Sequence, residues 1–448
     1  MNNERDQSSS LVRGLGLLDA TMIVIGSMIG SGIFIVSAES LRLIGAPGWL
    51  LLAWTIAGLL TITGALCCAE LATMMPRAGG VYVFLREAYG PALGFLFGWT
   101  LFLVVQTGTI AAVAIAFARF LGVFAPSVAG DHYLIAPFVL LPGYAISLST
   151  EQLVAILLIA LLTFSNTRGL RVGKIVQNSF TFTKTAALIG VIVIGLVFGW
   201  KANCAALASH WWDASANGWS AQAARALLYG CGIVVVLYVL ANVAYIASLP
   251  LAEIQNAPQN RVAVAMMRSI FGTPGVLAMA AAIMISTFGC NNGLILAGAR
   301  VYYAMAQDNL FFHKVGTTNR FHVPAFALVV QAIWTALLTL PRTVTTNAQT
   351  GTPTFGNVYT QLLEYIVSAD LIFYVLLVAA VIVLRKKNPT AERPYRTWGY
   401  PIVPIISIAL AVIVILDLAY LAPSTSGIGI LIVLTGVPVY FLWRRKPA

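Results

Sequence analysis

The nine residues Gly26-Ser27-Met28-Ile29-Gly30-Ser31-Gly32-Ile33-Phe34 stand in the middle of the first long apolar run of the chain. Three glycines and two serines occupy a depth where a membrane helix normally carries aliphatic side chains, and such a helix can break. The freed N–H groups at a half-helix terminus carry positive partial charge and suit an organic carboxylate. The competing account is that Gly26 and Gly30 form a GxxxG face for close packing on a neighbouring helix. The residues alone leave both open.

Around this stretch the whole chain reads as a membrane protein. Of 448 residues, 59% are hydrophobic and only 9% charged, against about 25% charged in soluble domains. Apolar runs near the roughly 20 residues that cross a bilayer occur at 15 to 43, 47 to 75, 91 to 122, 150 to 166, 175 to 200, 226 to 249, 275 to 306, 323 to 341, 358 to 384, 400 to 421 and 427 to 443, about eleven crossings. The fold class is all-α and polytopic, a single transmembrane domain in the lipid bilayer. The stretch 131 to 148 is apolar but carries Pro137 and Pro142, so it is expected as a loop or re-entrant segment. The polar N-terminus lacks the apolar core of a cleavable signal, so the first span is expected to insert uncleaved.

The net charge of +11 sits in short loops between apolar runs. That is topology signal and not a nucleic-acid surface, so no nucleic acid is expected as partner. Arg5 and Arg13, then Arg77 and Arg86, then Arg168, Arg171 and Lys174 fill alternate loops and place the N-terminus in the cytoplasm. Arg300, Lys314 and Arg320, then Arg385 to Arg396, then Arg444 to Lys446 form a second alternating set. Strict alternation through eleven spans puts that second set on the wrong side, so one crossing is lacking between Lys174 and Arg300. The unassigned residues 201 to 225 are too polar to supply it, at about 2.5 to 3.5 kcal/mol per central charge.

Within the spans, Lys184 lies too deep for easy snorkelling and is a functional candidate or a structural cation tying helices together. Ser286-Thr287-Phe288-Gly289-Cys290-Asn291-Asn292-Gly293 is a second small and polar patch, read either as a partner for a broken helix or as GxxxG packing. Glu70 reads as a structural ion pair with a loop arginine. Glu364 and Asp370, six apart, do not closely share a helix face, and one could line a cavity. Gly169 to Lys174 lacks the spacing of a phosphate loop, and the four histidines lack metal-ligand spacing. No cofactor and no metal are expected, and no enzymatic constellation stands out.

Three stretches carry a resemblance: Gly26 to Phe34, Glu70 to Tyr89 (ELATMMPRAGGVYVFLREAY) and Ser286 to Asp308 (STFGCNNGLILAGARVYYAMAQD). Over almost its whole length the chain resembles the amino acid–polyamine–organocation superfamily, and within it the L-type amino-acid transporter-like permeases. The resemblance implies a LeuT-like fold of two five-helix inverted repeats plus two helices: a first repeat over 1–200, a second over 226–384, and additional helices over 398–443. It implies secondary transport of amino acids, or related organic cations, through the plasma or inner membrane, as exchanger, uniporter or proton-linked carrier. It also implies a substrate carboxylate at Ile25, Ser27, Met28, Gly30, Ser31 and Gly32, with Lys184 and Ser286 taking the place of a coupling cation. Some relatives bind an accessory subunit, for which Cys204 is the one candidate link.

One departure is large. Trp219 to Arg225 runs directly into Ala226 to Gly230, which resembles the start of the seventh helix, so about 40 residues are absent, the length of one helix and its loop. The resemblance puts half of the substrate site on that sixth helix. The alternative function is therefore a transporter-derived binding or sensing subunit that no longer transports, or a defective variant of the carrier.

Overall fold

The structure, a computed structural model, describes residues 16–30, 32–76, 78–141, 143–208, 211–212, 235–346, 353–356, 358–421 and 423–444. Its described residues are predominantly helical. The helices are α1 (Leu17–Met28), α2 (Gly32–Ile44), α3 (Pro47–Met74), α4 (Val81–Tyr89), α5 (Pro91–Leu121), α6 (Thr150–Thr167), α7 (Leu170–Ala208) and α8 (Val235–Ser248). There follow α9 (Leu251–Gln255), α10 (Val262–Gln307), α11 (Ala325–Leu338), α12 (Val358–Lys387), α13 (Ile402–Leu421) and α14 (Pro423–Arg444). Each of the eleven apolar runs overlaps a described helix. Among the described residues, eight helical stretches are long and apolar enough to cross a bilayer, counting α1 with α2 as one, and α8 and α11 are shorter apolar helices.

Local chemistry explains the irregularities that shape the bundle. The α5 helix contains one wide π turn over Leu101–Val105. The α10 helix bends at Gly272 (φ 64°, ψ −145°), just ahead of Pro274, which brings no N–H to the ladder. At the start of α6, Gln152 N donates to Ser149 Oγ (3.2 Å) and Ser149 N donates to Gln152 Oε1 (2.7 Å), a reciprocal cap that satisfies two otherwise orphaned amides.

Residues 131 to 148 form neither a loop nor a re-entrant segment. They contain the hairpin β1 (Tyr133–Leu141) and β2 (Tyr144–Ser149), turned at Gly143 with φ 85°. With β3 (Pro341–Thr346) and β4 (Pro353–Gly356) they build one antiparallel sheet in the order β1-β2-β3-β4. The signal was the period-two pattern of Tyr144 to Ser149, whose residues alternate between half-buried and buried. Arg342 of β3 closes the sheet against the cap, donating from Nε to Ser147 Oγ and from Nη2 to Ser149 Oγ, both at 3.1 Å.

The sheet marks one end of the bundle, and the Glu70–Arg385 and Arg86–Asp308 ion pairs mark the other. Arg385 near the end of α12 grips Glu70 near the end of α3 through two bonds of 2.8 Å, Thr397 N donates to the same carboxylate at 2.7 Å, and Arg393 approaches at 3.5 Å. Glu70 is thus the structural pair that its position suggests. Also at that end, Tyr82 and Arg86 of α4 both bond Asp308, the tyrosine at 2.7 Å. Burial and the neighbouring Asp308 carboxylate raise the Tyr82 phenol above its ordinary pKa.

These landmarks orient α7 and α8. The α7 helix starts at the ion-pair end, where Gly169 faces Phe321, and leads toward the sheet end, where Trp211 abuts Gly48 at the start of α3. The α8 helix touches the middle of the bundle with Tyr238, whose OH donates to Met28 O (3.3 Å), and its last residue, Ser248, donates to Gly195 O (3.1 Å) farther along α7. Consecutive in the described chain, α7 and α8 therefore run parallel. Residues 213–225, which complete the polar stretch singled out in the sequence, lie outside the described residues, as do Ser31 and the side chains of Cys204 and Glu364.

Candidate functional site

The first span is broken. The α1 helix ends at Met28, Ile29 adopts extended backbone (φ −78°, ψ 94°), and α2 begins at Gly32. A helix that stops leaves its last four carbonyls without intrahelical donors. In lipid each such group costs several kcal/mol unless a partner reaches it.

Here all four are met, each by a side chain from another helix. Lys184 of α7 donates to Gly26 O and, at 2.8 Å, to Ile29 O. Ser286 of α10 donates to the same Ile29 O at 3.3 Å. Cys290 of α10 lies 3.3 Å from Ser27 O, and Tyr238 of α8 donates to Met28 O. Lys184 is 1% exposed, so its ammonium depends on these carbonyls and the negative pole of the α1 dipole for its solvation. The last turn of α1 contains no basic residue of its own.

The opposite pole is arranged differently. The first N–H groups of α2 follow Gly30 and point out of a helix start, where the backbone dipole favours an anion. Gly30 and Gly32 are half-buried, and a Cβ on Gly32 would meet only Val36, at 3.9 Å. Ile25, Ser27 and Met28 are also half-buried, and Ser27 Oγ donates to Ile23 O (2.8 Å) within α1.

The glycines serve packing as well as the break. A Cβ on Gly26 would overlap Gln177 and Thr181 of α7. On α10, a Cβ at Gly289 would stand 2.8 Å from Phe180, and one at Gly293 would stand 2.7 Å from Ser27 Oγ. The break and close packing therefore occur together in these stretches: close packing brings the helices near enough for the side chains of α7 and α10 to reach the broken backbone.

Two features escaped the reading of the sequence. The first is that the meeting point is Ile29 O, a backbone atom of a residue with no polar side chain. The second is a fully buried amide chain between the break and the ion-pair end. Asn166 of α6 donates to Asn292 Oδ1 (3.0 Å), Asn292 donates to Gln177 Oε1 (3.1 Å), Gln177 donates to Thr181 Oγ1 (3.4 Å), and Thr181 donates to Met22 O of α1 (3.1 Å). The available signal was three amides inside three apolar runs, because an amide at that depth needs a partner.

Among the described residues no group of His, Cys, Asp and Glu side chains is arranged to hold a metal ion. The site is backbone poles and one ammonium.

Comparison with known proteins identifies the lineage. An amino acid permease family model matches residues 15–223 and 205–441. The chain is 29% identical over 473 residues to the large neutral amino acids transporter small subunit 2 of Mus musculus, covering 98% of this chain and 83% of that one. It is 29% identical over 475 residues to the serine/threonine exchanger SteT of Bacillus subtilis (strain 168), covering 99% of each. It is 26% identical to the Asc-type amino acid transporter 1 of Mus musculus, covering 98% of this chain and 83% of that one. The chain belongs to the amino acid permease family, as an L-type amino-acid transporter-like member of the amino acid–polyamine–organocation superfamily.

Proposed function

We propose that this chain carries amino acids across a cell membrane by alternating access about the break between α1 and α2, as an exchanger or a gradient-driven carrier. One observation supports this reading above the others: the carbonyl pole of the break is filled by Lys184, Ser286, Cys290 and Tyr238, and the amide pole at Gly30 and Gly32 is the one left for an anion. A substrate carboxylate fits that pole. Ile25, Ser27, Met28, Gly30 and Gly32 are assigned to its rim, with Ser31 assigned from the sequence alone, and Lys184 with Ser286 holds the break open in the role a coupling cation would otherwise fill. No enzymatic step enters this reading.

The test is uptake of labelled serine and leucine into liposomes containing the purified protein. Flux above empty liposomes is expected, and its absence from a folded protein would overturn carriage. The sheet end is assigned to the outside and the ion-pair end, with the N-terminus, to the cytoplasm. Reporters fused after Lys314 and after the C-terminus should both report cytoplasm, and either one reporting the outside refutes the orientation. The repeat boundaries at 1–200, 226–384 and 398–443 and any accessory subunit belong to the same proposal.

A second reading, a transporter-derived binding or sensing protein, rests on the expectation that the sixth helix is lacking, which two observations support. The parallel course of α7 and α8 leaves no described helix descending between them. The alignment with SteT spans 475 positions, so at least 27 have no counterpart in a chain of 448 residues. The two family matches overlap at 205–223, from the last residues of α7 onward. Binding of amino acids without flux would favour this reading.

A further inference from the structure

Asp370 lies near the middle of α12, with Arg385 fifteen residues further on at the ion-pair end, roughly 22 Å along the helix axis. Ile366, Phe373, Leu377 and Val381 fall within about 60° of it around the helix, and all four are buried. Phe373 packs on Phe97 of α5, and Tyr374, on the other flank, donates to Leu60 O of α3 at 2.5 Å. Asp370 therefore stands at the centre of the inward arc of α12, yet it is exposed. An exposed residue in that position faces an opening inside the bundle, not lipid. Among the described residues the carboxylate has no hydrogen bond or ion pair.

Its depth matches the break. Trp54 of α3 touches Tyr238, which bonds Met28 O. Leu60 lies about 9 Å further along α3, and Asp370 lies about 6 Å back along α12 from Tyr374, so the two offsets nearly cancel. The α12 helix packs chiefly on α3, α4, α5, α13 and α14. The carboxylate thus stands at about the depth of the break, on a helix whose inward arc faces α3 and α5.

A carboxylate held at mid-bilayer without a protein partner is costly, and residues of this kind mark substrate or ion pathways. We propose that Asp370 is the anionic pole of the transport site, and that the substrates include amino acids with a cationic side chain, carboxylate toward the break and side-chain cation toward Asp370. This rests on the transport reading above and departs from the neutral substrates named for the relatives.

The test compares labelled arginine with labelled serine in liposomes containing the wild-type protein, Asp370→Asn and Asp370→Glu. Arginine should enter, the Asn variant should lower the arginine-to-serine ratio of kcat/KM by about tenfold or more, the scale of a lost charged hydrogen bond, and the Glu variant should retain most of it. An unchanged ratio in Asp370→Asn overturns the proposal. So does a wild-type protein that carries serine and not arginine, which decides the matter even if the Asn variant fails to fold. If neither amino acid enters, the transport reading itself has failed. Thermal stability of the purified wild-type protein then decides: stabilisation by arginine and not serine supports the anionic pole, and any other pattern overturns it.

Discussion

Replacing Lys184 by Met keeps an apolar stem of similar length and removes the ammonium that donates to Gly26 O and Ile29 O. Two hydrogen bonds from a charged donor contribute about 1.5 to 3 kcal/mol each, so roughly 3 to 6 kcal/mol is lost. Against this, an ammonium at the centre of a span costs about 2.5 to 3.5 kcal/mol, and the variant is relieved of that cost. Ile29 O also keeps Ser286. The net destabilisation is then about 0 to 3 kcal/mol, which a folded bundle survives. Function has no such compensation, because Gly26 O loses the donor that replaces its missing helical partner, and the ends of the break are no longer held in register. The expected result is a modest fall in Tm in detergent with uptake reduced at least about tenfold, since about 1.4 kcal/mol at the site already corresponds to that factor. Lys184→Ala should lower flux in the same way with a larger loss of stability from the cavity. Uptake within twofold of wild type in Lys184→Met would refute the role assigned to the ammonium.

Other consequences are separable. Gly26→Ala forces a methyl into Gln177 and Thr181 and should cost about 1 to 3 kcal/mol, whereas Gly427→Ala, with nothing near the added Cβ, should leave Tm unchanged or raised. Asn292→Ala strands buried amides of Asn166 and Gln177, about 1 to 3 kcal/mol each; Asn166→Ala should add less on top of it than alone, and strict additivity in thermal unfolding would argue against a connected chain. Glu70→Ala leaves Arg385 without its bidentate partner and should destabilise by several kcal/mol, about 3 to 5 if the site behaves as fully buried. Adding Arg385→Met should recover part of that loss, and no recovery would mean that Glu70 acts chiefly through Thr397 N.

The spans were legible because hydrophobic length is a local property: each run from Gly14 to Trp443 declares itself without reference to its neighbours. The break at Ile29 was legible for a related reason, since Gly26, Gly30 and Gly32 lower the local cost of leaving the helix. Lys184 stood out because charge at that depth demands an explanation. What could not be read was the partner of each group. Nothing in the sequence says that Tyr238 reaches Met28 O or that Cys290 faces Ser27 O, since helix packing angles fix those meetings. The same limit hid the sheet, where Tyr144 pairs with Thr343 across some two hundred residues. Asp370 was visible as an acid in a span, but its outlook depends on what surrounds α12.

The pairing of β2 with β3 fastens the α5–α6 turn to the α11–α12 turn, so four helices are clamped at one rim. Shape changes that open a path to either side must then treat those four as a single frame, with the two halves of the first helix swinging against it. A covalent crosslink between the two turns should therefore be mechanically silent, whereas one joining either half of the first helix to any of those four should jam the machine.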